Sequence, residues 1–172
     1  MISVSRLKNR LIALVINRFP RASDLLVASY SPWESQDVPW TPAAKPLSNS
    51  VVALVTTAGI HHAQQQPFDM KDPDGDPTYR ILDPETIGTD YRITHDYYDH
   101  RDAEKDINIV FPVDRLKQMK NAGFIGGLSK RYFGFMGHIT GAHIMDLIEN
   151  RSRRVAEMLL EDGTDAVLLT PG

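Results

Sequence analysis

The fold class is decided by residues 165–172, which read Asp-Ala-Val-Leu-Leu-Thr-Pro-Gly. The apolar run over 166–170 is typical of a strand that is buried on both faces of a parallel sheet. In open α/β proteins, ligands bind at the loops that leave the carboxyl ends of such strands. The turn formed by Thr170, Pro171 and Gly172 is therefore predicted to belong to a functional site.

Other segments upstream of this strand predict an alternation of strands and helices. Residues 51–57 (Val-Val-Ala-Leu-Val-Thr-Thr) and 107–111 (Ile-Asn-Ile-Val-Phe) are interpreted as two more core strands. Pro112 is expected to open a helix that ends at Asn121, and a longer helix is expected over 141–162. Short strands are predicted at 79–82 and 91–94, and the glycine-rich segment 123–141 is interpreted mainly as a loop.

This order predicts an α/β fold with a mostly parallel, three-layer, Rossmann- or flavodoxin-like sheet that is incomplete at the C-terminus. A single domain is expected over residues 1–172. At its start, an amphipathic helix is predicted over 3–18, and it could also mediate homo-oligomer formation. Four prolines and two tryptophans between 31 and 46 predict an extended surface arm.

Composition excludes several classes of protein. The formal net charge is −3 and the charged residues are mixed along the chain, which does not fit a nucleic-acid-binding protein. No apolar run approaches the roughly 20 residues that cross a bilayer, so a cytoplasmic protein is expected. The absence of cysteine excludes disulfides, thiolate zinc sites and a cysteine nucleophile within these 172 residues.

Histidine offers one route to metal chemistry. His95 and His100, together with Asp96 and Asp99, could hold a metal ion, although their spacing matches no standard motif. A metal-dependent enzyme is therefore one alternative function. A non-catalytic α/β module that binds a small molecule or a protein partner is another.

Four segments in order resemble the selenoprotein B subunits of the glycine/sarcosine/betaine reductases and of D-proline reductase. They are residues 52–62, 95–112, 123–139 and 155–172. The sequence Phe-Met-Gly-His-Ile at 135–139 is most similar to the D-proline reductase branch. The resemblance implies a reductase that cleaves a carbon–nitrogen bond of an amino acid such as D-proline, glycine or betaine.

The resemblance also implies where the nucleophile lies. In this family, the strand that matches 165–170 leads into a turn that carries a catalytic selenocysteine or cysteine. The substrate amine forms a Schiff base with a pyruvoyl group on a partner subunit, and thiols later reduce the selenium–sulfur bond. The expected nucleophile would directly follow Gly172. A UGA codon read as a stop at that point is one hypothesis for this sequence, and the downstream DNA tests it.

No catalytic nucleophile is therefore predicted within the sequence, which would be inactive alone, and no cofactor is predicted in this chain. Selenocysteine and the partner's pyruvoyl group are implied by the resemblance. The substrate pocket is predicted to lie around the missing nucleophile. Its predicted residues are Thr57, Gly59, His61, His62, His138, Thr170, Pro171 and Gly172.

Overall fold

The computed structural model describes residues 41–85 and 90–172, together with isolated positions between 7 and 19. The helix predicted over 3–18 and most of the arm predicted over 31–46 lie outside this part of the chain. Both stay predictions, and so does their assignment to one domain with the rest.

The sheet is built around strand β1 (Val51–Thr56), which is paired on both sides. On one side, β7 (Ala166–Thr170) runs parallel to β1, from Val52 opposite Ala166 to Thr56 opposite Thr170. On the other side, two short parallel strands follow one another along β1. They are β5 (Gly127–Leu128), beside its first residues, and β6 (Tyr132–Phe135), beside its last.

Three further strands are antiparallel to their partners. Strand β3 (Tyr79–Leu82) pairs with β6 and forms one edge of the main sheet. Strands β2 (Ile60–His62) and β4 (Tyr91–Ile93) form a separate two-stranded sheet. The predicted α/β fold with a mostly parallel main sheet is thus confirmed, as are the short strands predicted near 79–82 and 91–94.

The helices begin and end close to the proline and glycine residues that predicted their ends. Helix α1 (Val113–Asn121) starts directly after Pro112, as predicted. Helix α2 (His143–Asp146) continues through a π-helical turn (Leu147–Arg151) into α3 (Ser152–Glu161). Gly163, with φ of +69°, follows the last helical turn, and the chain then enters β7.

Residues 107–111 do not form the core strand that was predicted. Ile107–Ile109 is a 3-10 turn, and the Asp106 carboxylate accepts a hydrogen bond from the backbone N–H of Asn108 at 3.0 Å. The Asn108 side chain also bonds Asp114 at the start of α1. These side-chain bonds give the backbone a local alternative to a strand, while Phe111 remains fully buried.

Strand β7 is an edge strand, so the prediction that it is buried on both faces is wrong. Val167 and Leu168 are each 41% exposed, and Leu169 is 72% exposed. Among the described residues, β7 pairs only with β1. An apolar sequence identified the strand correctly, but its burial depends on neighbours that the sequence of the strand does not specify.

The glycine-rich segment 123–141 is more ordered than the predicted loop, because it contains β5 and β6. Tyr132 and Phe133 of β6 are fully buried. They pack in the core with the other large side chains that are fully or almost fully buried, namely Leu54, Ile60, Leu82, Phe111 and Met136.

Within the described residues, no helix is long and apolar enough to cross a membrane.

Replacing Arg131 with lysine is expected to lower the free energy of unfolding. Nε and Nη2 of Arg131 each lie 2.8 Å from an oxygen of Asp162, and Nη2 donates to the Met158 carbonyl at 2.7 Å. These hydrogen bonds join the β5–β6 connection to the end of α3, and the single ammonium group of lysine cannot make all of them. Urea denaturation measures the change. Arg154→Lys, at an exposed ion pair with Glu157, is the control and should change stability much less than Arg131→Lys does.

Candidate active site

The carboxyl ends of β1 and β7 meet at one carbonyl oxygen. The hydroxyls of Thr56 and Thr170 both donate to the Val110 carbonyl, at 2.9 and 2.7 Å. The backbone N–H of Thr57 donates to the Thr170 carbonyl at 3.0 Å. Three segments predicted to reach this edge of the sheet therefore do meet there, although residues 107–111 arrive as a turn rather than as a strand.

The turn after β7 is held against the turn after β1. A Cβ atom on Gly172 would lie 2.3 Å from Cα of Ala58, so only glycine fits at this position. Ala58 is itself fixed, because its N–H lies 3.2 Å from the Thr56 hydroxyl and its carbonyl accepts from the Tyr98 hydroxyl at 3.1 Å. These contacts fix the position of Gly172 at the edge of the sheet, next to the turn that follows β1.

His138 lies close to the same edge. Gly137 packs so tightly on Thr57 that an added Cβ would be 3.0 Å from the Thr57 carbonyl oxygen. The next residue, His138, is half-buried and stacks on Tyr97 with 3.8 Å between ring centres and 19° between planes. Within the described part of the chain, no hydrogen bond is made by its ring nitrogens. The imidazole is therefore oriented by its stacking on Tyr97.

His61 and His62 lie on β2 and are already bonded to their neighbours. Nδ1 of His61 lies 2.8 Å from the His62 carbonyl, and Nε2 lies 2.9 Å from the Thr94 hydroxyl. Nε2 of His62 accepts the backbone N–H of Asp83 at 3.0 Å. Burial lowers the pKa of both histidines. These contacts hold β2 to Thr94 and to Asp83, and a substrate role for either ring stays a prediction.

Gly59 is the second predicted site residue of the Thr57–Gly59 turn. Its φ is +71°, and an added Cβ would lie 2.3 Å from the Thr94 carbonyl oxygen. Its N–H donates to the Phe135 carbonyl at 2.8 Å, and its carbonyl accepts from Thr94. Gly59 therefore joins β1 to both β6 and β4 by close backbone contact.

His95 packs next to Gly59 and is only 4% exposed. Its Nδ1 accepts the backbone N–H of Tyr97 at 3.1 Å, so the neutral ring carries its proton on Nε2. That Nε2–H is buried and has no hydrogen-bond partner among the described residues. Burial, reinforced by the positive charges that His100 and His138 can carry, lowers the pKa of His95 to about 4. His95 is a neutral core histidine, which the sequence did not reveal.

Within residues 41–85 and 90–172, no three histidine or acidic side chains are grouped so that they could hold a metal ion. The segment with His95, Asp96, Asp99 and His100 instead makes local contacts. Nε2 of His100 lies 3.1 Å from the His95 carbonyl, and Asp99 pairs with Arg101.

A cavity of about 380 Å³ opens beside Thr57, between the end of β6 and the helix that contains the π-helical turn. The helix over 141–162 was predicted from the sequence, but the cavity that its residues line was not. The lining residues are Thr57, Phe135, Met136, Gly137, Ile139, Ile144, Leu147, Ile148 and Ser152.

The fold and this geometry define an open α/β protein whose candidate site lies at the carboxyl ends of parallel strands, the usual place in this class. The chain belongs to the family described as Glycine/sarcosine/betaine reductase selenoprotein B, which it matches over residues 5–172. The resemblance inferred from the sequence is thus confirmed.

Three curated relatives are similar to this chain. D-proline reductase subunit gamma of Acetoanaerobium sticklandii is 38% identical over 133 residues, covering 77% of this chain and 53% of the relative. Glycine reductase complex component B subunit gamma of Carboxydothermus hydrogenoformans is 30% identical over 164 residues, covering 87% and 36%. Sarcosine reductase complex component B subunit beta of Peptoclostridium acidaminophilum is 30% identical over 135 residues, covering 77% and 30%.

The alignments therefore span from 30% to 53% of the length of these relatives. No solved structure matches the chain.

Proposed function

We propose that this chain is the nucleophile-bearing subunit of a cytoplasmic reductase that cleaves a carbon–nitrogen bond of an amino acid such as D-proline, glycine or betaine. The observation that carries the proposal is the packing of Gly172 on Ala58, because it holds the turn after β7 against the turn after β1, where the proposal places the nucleophile. Membership in the selenoprotein B family and the reductase names of the relatives support the same function.

Two groups outside these 172 residues would supply the chemistry. One is a selenolate or thiolate after Gly172 as nucleophile; the other, for substrates with an N–H such as D-proline or glycine, is a pyruvoyl carbonyl on a partner subunit that would activate the amine. In the overall reaction, the carbon–nitrogen bond is replaced by a C–H and an N–H bond. A pair of thiols supplies two electrons and two protons and ends as a disulfide.

The residues of this chain hold and polarise the reacting groups. The Thr57–Thr170 backbone bond and the Gly172–Ala58 contact fix the turn that carries the nucleophile. His138 can hydrogen-bond a charged nucleophile or the departing amine, because its ring is oriented by Tyr97. His61 and His62 act in this proposal as supports of the Thr57–Gly59 turn.

A cysteine added directly after Gly172 is expected to form a reactive thiolate with a pKa about one unit or more below the ordinary thiol value of roughly 8.5. A positioned hydrogen-bond donor and an exposed turn favour the charged form of sulfur. The measurement is the rate of alkylation by iodoacetamide as a function of pH. His138→Asn in the same extended chain should return the midpoint toward the ordinary value.

The matched control is Leu47→Cys in the unextended chain, because Leu47 is 57% exposed on a surface turn away from the sheet edge. Identical alkylation curves for this control and for the cysteine-extended chain would contradict the proposal. The activity itself is tested with a selenocysteine-extended chain, a pyruvoyl-containing partner subunit and a dithiol. The proposal requires one dithiol oxidised for each carbon–nitrogen bond that is cleaved.

A further inference from the structure

The cavity beside Thr57 owes its shape to an irregularity in the helix that covers it. Leu147–Arg151 forms a π-helical turn, which widens the helix locally, and such turns often occur at functional sites. Leu147 and Ile148 belong to this turn, and Ile144 lies one turn earlier on α2. All three are only partly buried. Ile144 and Ile148 face the open volume, whereas Leu147 also packs against the hydrophobic core.

The side chains that line this cavity are mainly apolar. None of the described residues that line it carries a charge. Of its two hydroxyl-bearing residues, Ser152 already donates to the Leu147 carbonyl within the helix, at 2.7 Å. A charged ammonium or carboxylate group placed there would lose its hydration without gaining a partner, which is costly. A hydrocarbon group would gain free energy by covering the exposed parts of the isoleucines.

The position of the cavity relates it to the proposed chemistry. Thr57 lines the cavity, and its backbone N–H holds the Thr170 carbonyl in the turn that leads to Gly172. A molecule with its apolar part in the cavity could therefore keep its amine and carboxylate at the sheet edge. The volume of about 380 Å³ lies in the range of small-molecule sites.

We propose that this cavity is the subsite for the hydrocarbon part of the amine substrate, and that Ile144 and Ile148 determine its specificity. The proposal rests on the proposed function and refines it. The apolar lining favours an amino acid that carries a ring or an alkyl chain. It disfavours glycine, which has no apolar group to bury.

The test is a methyl-group NMR titration of the full 172-residue chain, labelled at isoleucine and methionine methyl groups. The probes are proline in both enantiomers and pipecolate, with glycine as the comparison. The ring-bearing probes are expected to shift the methyl signals of Ile139, Ile144, Ile148 and Met136 in a saturable way. The methyl of Ile81 on β3 should not move. Glycine at the same concentrations should leave all of them unchanged.

Two substitutions probe the specificity role. Ile144→Asn and Ile148→Asn should each weaken binding of the ring-bearing probes about tenfold or more, because each replaces apolar lining by an amide. Met145→Asn is the matched control, since Met145 lies on the same helix, is 53% exposed and does not line the cavity. It should leave the affinity unchanged.

The proposal is overturned if no ring-bearing probe gives saturable shifts at the cavity methyls, or if glycine shifts them equally. It is also overturned if the Met145 control weakens binding as much as the two isoleucine variants. Such a result would leave the proposed function intact, provided that the cysteine-extended chain still shows its low thiol pKa. Conversely, saturable binding together with an ordinary thiol pKa would support the subsite and count against the nucleophile.

Discussion

Replacing Gly134 with alanine is expected to lower the free energy of unfolding by about 3 kcal/mol. Gly134 lies in the middle of β6, between Thr56 of β1 and Arg80 of β3. A Cβ atom there would lie 2.2 Å from the carbonyl oxygen of Ile60 on β2. That atom belongs to the backbone, so relief requires the two sheets to move apart, and a close-packed interior resists such a movement.

Gly127→Ala on β5 is the matched control, because both glycines lie in strands that pair in parallel with β1. A Cβ on Gly127 would meet only a methyl group of Val51 at 3.5 Å, which is an ordinary contact. Its effect should stay within about 0.5 kcal/mol. Urea denaturation of both variants gives the two values. Equal losses of stability would show that glycine at position 134 is not required by the approach of β2.

The parts of the fold that could be predicted from sequence are those set by local chemistry. The β-branched run at 51–57 and the proline before α1 specify a strand and a helix start almost alone. Residues 107–111 misled the prediction because their alternation suits a strand, whereas bonds from Asp106 and Asn108 select a turn. The exposure of β7 was missed because an apolar strand at an edge and one at the centre of a sheet have the same sequence.

The candidate site was predictable only in part, for a similar reason. Thr57 and Thr170 come together because the carboxyl ends of parallel strands meet at one edge, and a sequence can reveal that. The cavity depends on a π-helical turn, and the sequence of residues 141–162 shows only an ordinary amphipathic pattern. The hydrogen bonds of His61, His62 and His95 are made to groups distant in sequence or to the backbone. The residue type alone therefore could not distinguish a structural role from a catalytic role for these histidines.

Acid is expected to destabilise the folded chain through His95. Its ring is almost fully buried, and its Nδ1 accepts the Tyr97 N–H, so the folded state has no place for a second ring proton. The pKa of His95 is lowered from 6.5 to about 4, first by burial, then by His100 and His138, with Asp96 acting in the opposite direction. In the unfolded chain the ring takes up a proton near its ordinary pKa.

Because the pKa of His95 is lower in the folded state than in the unfolded state, acid lowers the free energy of unfolding. Above about pH 6.5 both states are neutral at His95, and its full contribution to stability is present. As the pH falls from 6.5 toward 4, only the unfolded state binds the proton, and the free energy of unfolding decreases. A pKa displaced from 6.5 to about 4 corresponds to a loss of about 3 kcal/mol across that window. Below the folded-state pKa this loss stops growing.

His95→Asn isolates this contribution. The asparagine oxygen can accept the Tyr97 N–H in the same local geometry but does not titrate. The variant loses ring packing against Tyr98 and should be less stable at pH 7.5, yet its free energy of unfolding should fall less steeply between pH 6.5 and 4. His61 and His62, whose pKa values burial also lowers, titrate in both proteins and cancel in the comparison.

Urea denaturation at several pH values measures both curves, and the imidazole signals of His95 followed by NMR give its pKa directly. Parallel stability curves for the two proteins would show that His95 is not the titrating group. If the free energy of unfolding falls more steeply with decreasing pH in the unsubstituted protein, the acid sensitivity originates in the segment that contacts the candidate site. Tyr97 and Tyr98 lie two and three residues after His95. Tyr97 stacks on His138, and the Tyr98 hydroxyl donates to the carbonyl of Ala58, the residue on which Gly172 packs.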